Sequence, residues 1–250
     1  MTITNEDELD ALKEIGRIVA QVLQAMGAAL EPGMTTAELD LIGRKLLEQE
    51  GARSAPELSY QFPGATCISI NEQIAHGVPG ARTIAAGDLV NIDVSAEKNG
   101  FFGDTGASFT VPPVPKRIDR LCRDGRRAMM TGVAQVKADK PLAGIGTAIG
   151  RFASKNGYTL VRNLASHGVG RSLHEYPETI PTWPDESERR IIAEGTVLTV
   201  EPFLSLGSEW ADLGEDDEWT LFGEPAAPTV QYEHTVVATR NGPQILTLAA

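Results

Sequence analysis

The sequence predicts a mixed α/β (α+β) fold in which two pseudo-symmetric halves, each of helices plus an antiparallel sheet, face one another across a central cleft. Helical and strand-like stretches alternate without a long linker, and a weak internal repeat relates the two parts of the chain. From Asp7 to Ala29, the apolar residues Leu12, Ile15, Val19, Val22 and Met26 recur every three to four positions, which marks an amphipathic helix. A second helix begins near Thr35, where Thr35 and Glu38 have the spacing of a capping box, and it stops at Gly51. Strands follow at Cys67–Ile70, Leu89–Val94 and Phe101–Val111, the last two flanking Lys98-Asn99-Gly100, a hairpin-turn sequence. Helical spacing returns from Lys116 to Val136 and from Leu142 to Asn156, with Gly157 as the stop. The remaining third reads as strands and loops. When the chain is shifted by 106 residues, Ala37, Leu39, Ile42, Leu46 and Gly51 fall on Ala143, Ile145, Ala148, Phe152 and Gly157. The halves then reach Ala75-His76-Gly77-Val78 and Ser166-His167-Gly168-Val169. A single domain over residues 1–250, with pseudo-repeats at about 7–111 and 116–240, is therefore expected.

Composition narrows the class. The acidic start, Met1-Thr2-Ile3-Thr4-Asn5-Glu6-Asp7-Glu8, lacks the charged-then-apolar pattern of a secretory leader. No apolar run approaches the ~18 residues that a membrane span needs, so no membrane partner is expected. Cys67 and Cys122 are too few for a disulfide scaffold or a structural zinc site, which makes the cytoplasm the expected compartment. A net charge of −12 argues against direct nucleic-acid binding, and the basic run from Lys116 to Arg127 reads as one face of a surface helix. The tract Glu209–Glu218, with six acids, reads as a solvated loop.

Four carboxylates and one histidine in strand-like settings point to chemistry: Asp93, Asp104, His167, Glu201 and Glu233. A buried, unpaired carboxylate is costly unless it is neutralised or binds a metal, and few bases lie nearby. Hard oxygen ligands with one imidazole and no thiolate suit Mn, Fe, Co or Zn, and four carboxylates balance two divalent metal ions. The hairpin supplies a geometric expectation. If Asn99-Gly100 is a two-residue turn, opposed residues sum to 199, so Asp93 faces Gly106 and Asp104 is its diagonal neighbour on the same face. The glycine opposite Asp93 predicts open space above that face. His234, next to Glu233, must point to the opposite strand face and is read as orienting a neighbour. Glycines 77, 168 and 170 read equally as turns or as points of close substrate approach.

With Asn71-Glu72, His76-Gly77-Val78-Pro79, Asn91-Ile92-Asp93, Gly103-Asp104-Thr105, His167-Gly168-Val169-Gly170, His174-Glu175, Glu201-Pro202 and Gln231-Tyr232-Glu233-His234-Thr235, the chain resembles the type I methionine aminopeptidases over nearly its whole length. The resemblance implies the pita-bread fold and removal of N-terminal methionine before a small second residue. It also implies that the same five residues hold two metal ions, with Asp104 and Glu233 bridging, and that Glu201 accepts the proton. By the same resemblance His174 stabilises the oxyanion and His76 contacts the substrate near the scissile nitrogen. The side-chain pocket is then expected to involve Tyr60, Phe62, Cys67, Leu173 and Trp219. The implied partners are N-terminal peptide segments of nascent proteins, met at the ribosome by a monomer.

Departures from the bacterial pattern fall near that pocket. Leu173 stands where phenylalanine is common, Ser166 where glycine is usual, and the loop around Tyr60-Gln61-Phe62-Pro63 is one residue shorter. A second reading, an Xaa-Pro dipeptidase-like hydrolase of the same fold, is disfavoured because such enzymes usually carry a substantial N-terminal domain. A third, a non-catalytic peptide-binding protein, is disfavoured because all five candidate ligands are present.

Overall fold

The computed structural model describes residues 1–249. Among the described residues five helices form: α1 Glu6–Ala29, α2 Thr36–Gln49, α3 Ala55–Tyr60, α4 Lys116–Val133 and α5 Ala143–Asn156. Asn5 caps α1 by accepting from the Glu8 amide, and the acids Glu6, Asp7 and Glu8 complement the first-turn dipole. The Thr35–Glu38 capping box forms as its spacing predicts, and Gly157 ends α5 in the left-handed region at φ 78°. The fourth helix stops at Val133, earlier than its periodicity predicts, and Gln135 and Val136 close tighter turns onto Gly132 and Val133. Helix α3 was not expected. Ser54 accepts from the Glu57 amide at its start, and Gln61 ends it with φ 59°.

The first half contributes strands β1 Arg53–Ser54, β2 Cys67–Ile70, β3 Gln73–Ala75, β4 Leu89–Lys98 and β5 Phe101–Thr110. The second half supplies β6 Thr159–Leu160, β7 Ser166–Gly168, β8 Glu175–Ile180, β9 Val197–Val200 and β10 Phe203–Ser205. It continues with β11 Trp210–Leu213, β12 Leu221–Glu224, β13 Thr229–Gln231, β14 His234–Thr239 and β15 Gly242–Ile245. The main sheets run β1-β4-β2, with β5 on β4, and β15-β14-β9-β7-β8. Part of the acidic tract predicted as loop is in fact β11, which pairs with β12; its one acid, Asp212, is exposed, whereas Asp217 beyond it is half-buried and accepts from the Trp219 and Thr220 amides.

Period two decides what each strand presents. In β4, Val90, Ile92, Val94 and Ala96 are fully buried in a core shared with Leu12, Ile15, Val19 and Met26 of α1. The alternate residues Asn91, Asp93 and Ser95 therefore face away from the helices, toward the cleft. A second core joins Leu121, Met129 and Val133 of α4 with Ile145 and Ile149 of α5 and Leu198, Val200 and Val236 of the larger sheet. The two sheets meet along β5 and residues 231–235. Thr235 Oγ1 accepts from the Asp104 amide (3.1 Å), Glu233 N donates to Gly106 O (2.9 Å), and Thr105 Oγ1 donates to Glu233 O (2.9 Å).

Candidate active site

The hairpin register is the predicted one: Asp93 pairs with Gly106, and Asp104 with Ser95. Both aspartates thus lie on the cleft face of β4 and β5. His167 comes from β7, Glu201 directly follows β9, and Glu233 lies between β13 and β14. One ligand atom each from Asp104, His167 and Glu233 lie within 4.8 Å of one another. His167 Nε2 is 3.4 Å from Glu201 Oε1 and 3.8 Å from Asp104 Oδ2. Asp93, Asp104, His167 and Glu201 line a cavity of about 280 Å³ together with Tyr60, Phe62, Cys67, His76, Leu173, His174 and Trp219. Glu233 is buried and does not line the cavity.

The electrostatics fit a cation site. Burial pushes Asp93 up to about 7, and burial followed by the charge of Asp93 pushes Glu201 up to about 8. Asp104 and Glu233 are also raised well above the usual carboxylate range, first by burial and then by neighbouring carboxylates. No lysine or arginine lines the cavity. Asp104 Oδ1 and Glu233 Oε1 are buried without a hydrogen-bond partner. Enclosed, mutually repelling carboxylates with orphaned oxygens suit divalent cations, because positive charge between them removes both penalties at once.

The histidines divide by tautomer. His167 Nδ1 lies 3.0 Å from Gly168 O, and a carbonyl can only accept, so the proton sits on Nδ1 and Nε2 is bare toward the carboxylates. Burial holds the His167 pKa down at about 3, which keeps the ring neutral as a ligand must be. His174 stacks against it, with ring centroids 3.9 Å apart, and its Nδ1 meets the Tyr60 hydroxyl. Partial burial and then the charge of Asp104 raise the Tyr60 phenol, so it keeps its proton. His76 is open to solvent yet crowded by protein, and desolvation lowers its pKa. His234 does not line the cavity, and its Nδ1 lies 2.8 Å from Thr247 Oγ1.

The cavity lining draws on both halves. Phe62 meets Trp219 edge-on at 5.4 Å between centroids, and Leu173 is buried against the first core while lining the cavity. Cys67 pairs with Asp93 across β2 and β4, and burial followed by that charge keeps its thiol protonated. Gly77 and Gly168 prove to be packing positions. A Cβ at Gly77 would sit 2.2 Å from Ile68 O, and one at Gly168 2.5 Å from Tyr176 O.

The expected open space above Gly106 is absent, because the Gln231 side chain fills it. Asn91 Nδ2 donates to Gln231 Oε1 (2.9 Å), and Gln231 Nε2 donates to Glu233 Oε2 (3.0 Å). Thr199 Oγ1 similarly donates to Glu201 Oε1 (2.8 Å) and accepts from the His167 amide (3.1 Å). Ser166 Oγ accepts from the Glu201 amide at 2.9 Å, which gives a contact to the residue that replaces glycine. These supports went unnoticed in the sequence, although a signal existed. Asn91, Thr199 and Gln231 each stand two residues before an acid, at the strand period that puts both on one face.

The profile of metallopeptidase family M24 matches residues 10–240. The chain is similar to methionine aminopeptidase 2 of Bacillus subtilis, 44% identical over 248 residues that make up 99% of each chain. It is also similar to methionine aminopeptidase of Staphylococcus epidermidis, 43% identical over 99% of this chain and 98% of that one. Among solved structures, methionine aminopeptidase from Rickettsia prowazekii superposes with a TM-score of 0.94 at 32% identity, over 99% of this chain and 100% of that one. A prolidase from Pyrococcus furiosus shares the fold, with a TM-score of 0.79 at 21% identity over all of this chain and 66% of its own. The architecture is the pita-bread fold that the sequence resemblance implies.

Proposed function

The chain belongs to metallopeptidase family M24, and from that premise we propose an aminopeptidase that removes N-terminal methionine with two divalent cations held by Asp93, Asp104, His167, Glu201 and Glu233. It is a metal-dependent hydrolase, and the observation that carries the site is the enclosed set of carboxylates, two of them with an oxygen that has no hydrogen-bond partner, beside one neutral imidazole. When bound, the ions supply Lewis acidity and an acidified water. Glu201, oriented by the Thr199 hydroxyl, accepts the proton that the attack releases. His174 donates to the oxygen on which negative charge grows, and His76 binds the substrate near the scissile nitrogen. Tyr60, Phe62, Cys67, Leu173 and Trp219 enclose the first side chain, an unbranched apolar one. The narrow cleft beside the carboxylates keeps the second residue small. Nascent chains in the cytoplasm are the natural pool of such termini, so this reading extends to a monomer that works at the ribosome.

Cleavage of Met-Ala-Ser and Ala-Pro peptides by metal-stripped and metal-loaded protein tests the proposal. Chelation is expected to abolish release of methionine and Mn, Co or Fe to restore it, with the Ala-Pro peptide left intact. Full activity after stripping would remove the metal assignment, and preferential cleavage of Ala-Pro would move the enzyme to the dipeptidase reading.

A further inference from the structure

We propose that Tyr60 is a positioning residue: its hydroxyl donates to Nδ1 of His174 and holds that ring as the Nε2–H tautomer, the form that can donate into the cavity. The inference rests on the reading of His174 as the donor to the developing oxyanion. Tyr60 Oη and His174 Nδ1 are 2.5 Å apart, and the ring centroids are 5.6 Å apart at an interplanar angle of 52°, so the hydroxyl meets the imidazole edge rather than its face.

A neutral imidazole has one donor nitrogen and one acceptor nitrogen, whereas a phenol can play either part. Two arrangements are therefore open to the pair. In one, the phenol donates to a bare Nδ1 and Nε2 carries the proton. In the other, Nδ1–H donates to the phenol and Nε2 is left without one. The phenol O–H is the more acidic donor of the two, so the first arrangement is favoured. The neighbouring ring makes the contrast. His167 is forced by Gly168 O into the Nδ1–H form and turns a lone pair toward the carboxylates, while His174, 3.9 Å away, keeps an N–H. Without the phenol, His174 can adopt either tautomer, and the Nδ1–H form has no proton to give from Nε2.

The chain around Tyr60 is built to hold this contact. Tyr60 is the last residue of α3, Gln61 turns the backbone at φ 59° directly after it, and Arg44 of α2 pairs with Glu57 to anchor the short helix. A residue of the first half thereby sets the state of a histidine in the second.

The test compares the parent protein with Tyr60→Phe, His174→Ala and the double variant. Tyr60→Phe keeps the ring and is expected to lower kcat for Met-Ala-Ser by about tenfold, the weight of one neutral hydrogen bond, with KM and metal content unchanged. In the His174→Ala background the same substitution is expected to have no further effect, because a residue that acts through His174 has nothing left to act on. Independent additive losses would overturn the proposal, as would a rise in KM with kcat unchanged, which would make Tyr60 only a pocket wall. The second readout needs no turnover. With four histidines in the chain, 15N resonances of labelled zinc-loaded protein are assignable, and His174 is expected to show the Nε2–H pattern in the parent and a mixture in Tyr60→Phe. An identical pattern in both would overturn the hydrogen-bond assignment. Absence of peptidase activity in the parent would instead sink the functional reading, and the tautomer signal would still decide the contact.

Discussion

Replacing Gln231 by alanine removes a side chain that reaches no substrate and yet is expected to weaken metal binding. Gln231 is 1% exposed, and its amide lies between Asn91 and Glu233, accepting at 2.9 Å from the first and donating at 3.0 Å to the second. Glu233 Oε1 already lacks a hydrogen-bond partner, so the variant leaves both of its oxygens without this donor and frees the carboxylate to rotate into the space above Gly106. A buried hydrogen bond to a charged group contributes about 1.5–3 kcal/mol. At about 1.4 kcal/mol per decade, that corresponds to roughly 10- to 100-fold in metal affinity, the range typical of residues that orient a ligand. Calorimetric titration of metal-free protein with Mn(II) measures the change, with Asn241→Ala, an exposed loop substitution, as the control. At saturating metal, kcat is expected to recover most of its parent value, because Gln231 positions a ligand and makes no contact with reacting atoms. A Kd within twofold of the parent would refute the argument that the amide, rather than the strand alone, orients Glu233.

The pH dependence of stability in the metal-free protein follows from carboxyl pKa values raised on folding. Asp93 rises from 3.8 to about 7 and Glu201 from 4.5 to about 8, so both are neutral in either state only below about pH 3. Above about pH 6.5 the histidines that burial holds low are neutral in both states, so between there and about pH 8 only the carboxyl protons differ: the unfolded chain has lost them and the fold keeps them, and the Tm of the metal-free protein is expected to fall with rising pH and Mn(II) to raise it most at the alkaline end. A Tm that climbs across that window would contradict the assignment. Leu173→Phe is expected to narrow the cavity and raise kcat/KM for Met- over Leu-initiated peptides by up to about tenfold. Thermal melts distinguish this from simple overpacking of the core that Leu173 also joins, and an unchanged preference order would shift attention to Tyr60 and Phe62.

Legibility followed period and punctuation. The helices were readable because an apolar stripe, a capping box and a terminal glycine are local signals, and the Asp93–Asp104 face was readable because a two-residue turn imposes its own register. Helix α3 escaped because six residues are too few for periodicity to appear, and its stability comes from Ser54, Pro56 and the Arg44–Glu57 pair. The end of α4 was overrun because Ala134, Gln135 and Val136 continue the spacing while the chain tightens into turns.

By itself the sequence determined the kind of chemistry, since residue types set charge, ligand hardness and strand alternation without reference to distant partners. It identified Asp93, Asp104, His167, Glu201 and Glu233 as a set, and the structure gathers them at one cleft. Tertiary structure alone decided what surrounds them. Gln231 entering the space over Gly106, Tyr60 reaching His174 from the other half, and Ser166 holding the Glu201 amide are contacts between segments far apart in the chain. No local pattern encodes such contacts, because they depend on how two sheets are set against each other, and the tautomer of a histidine or the orientation of a carboxylate follows from that placement.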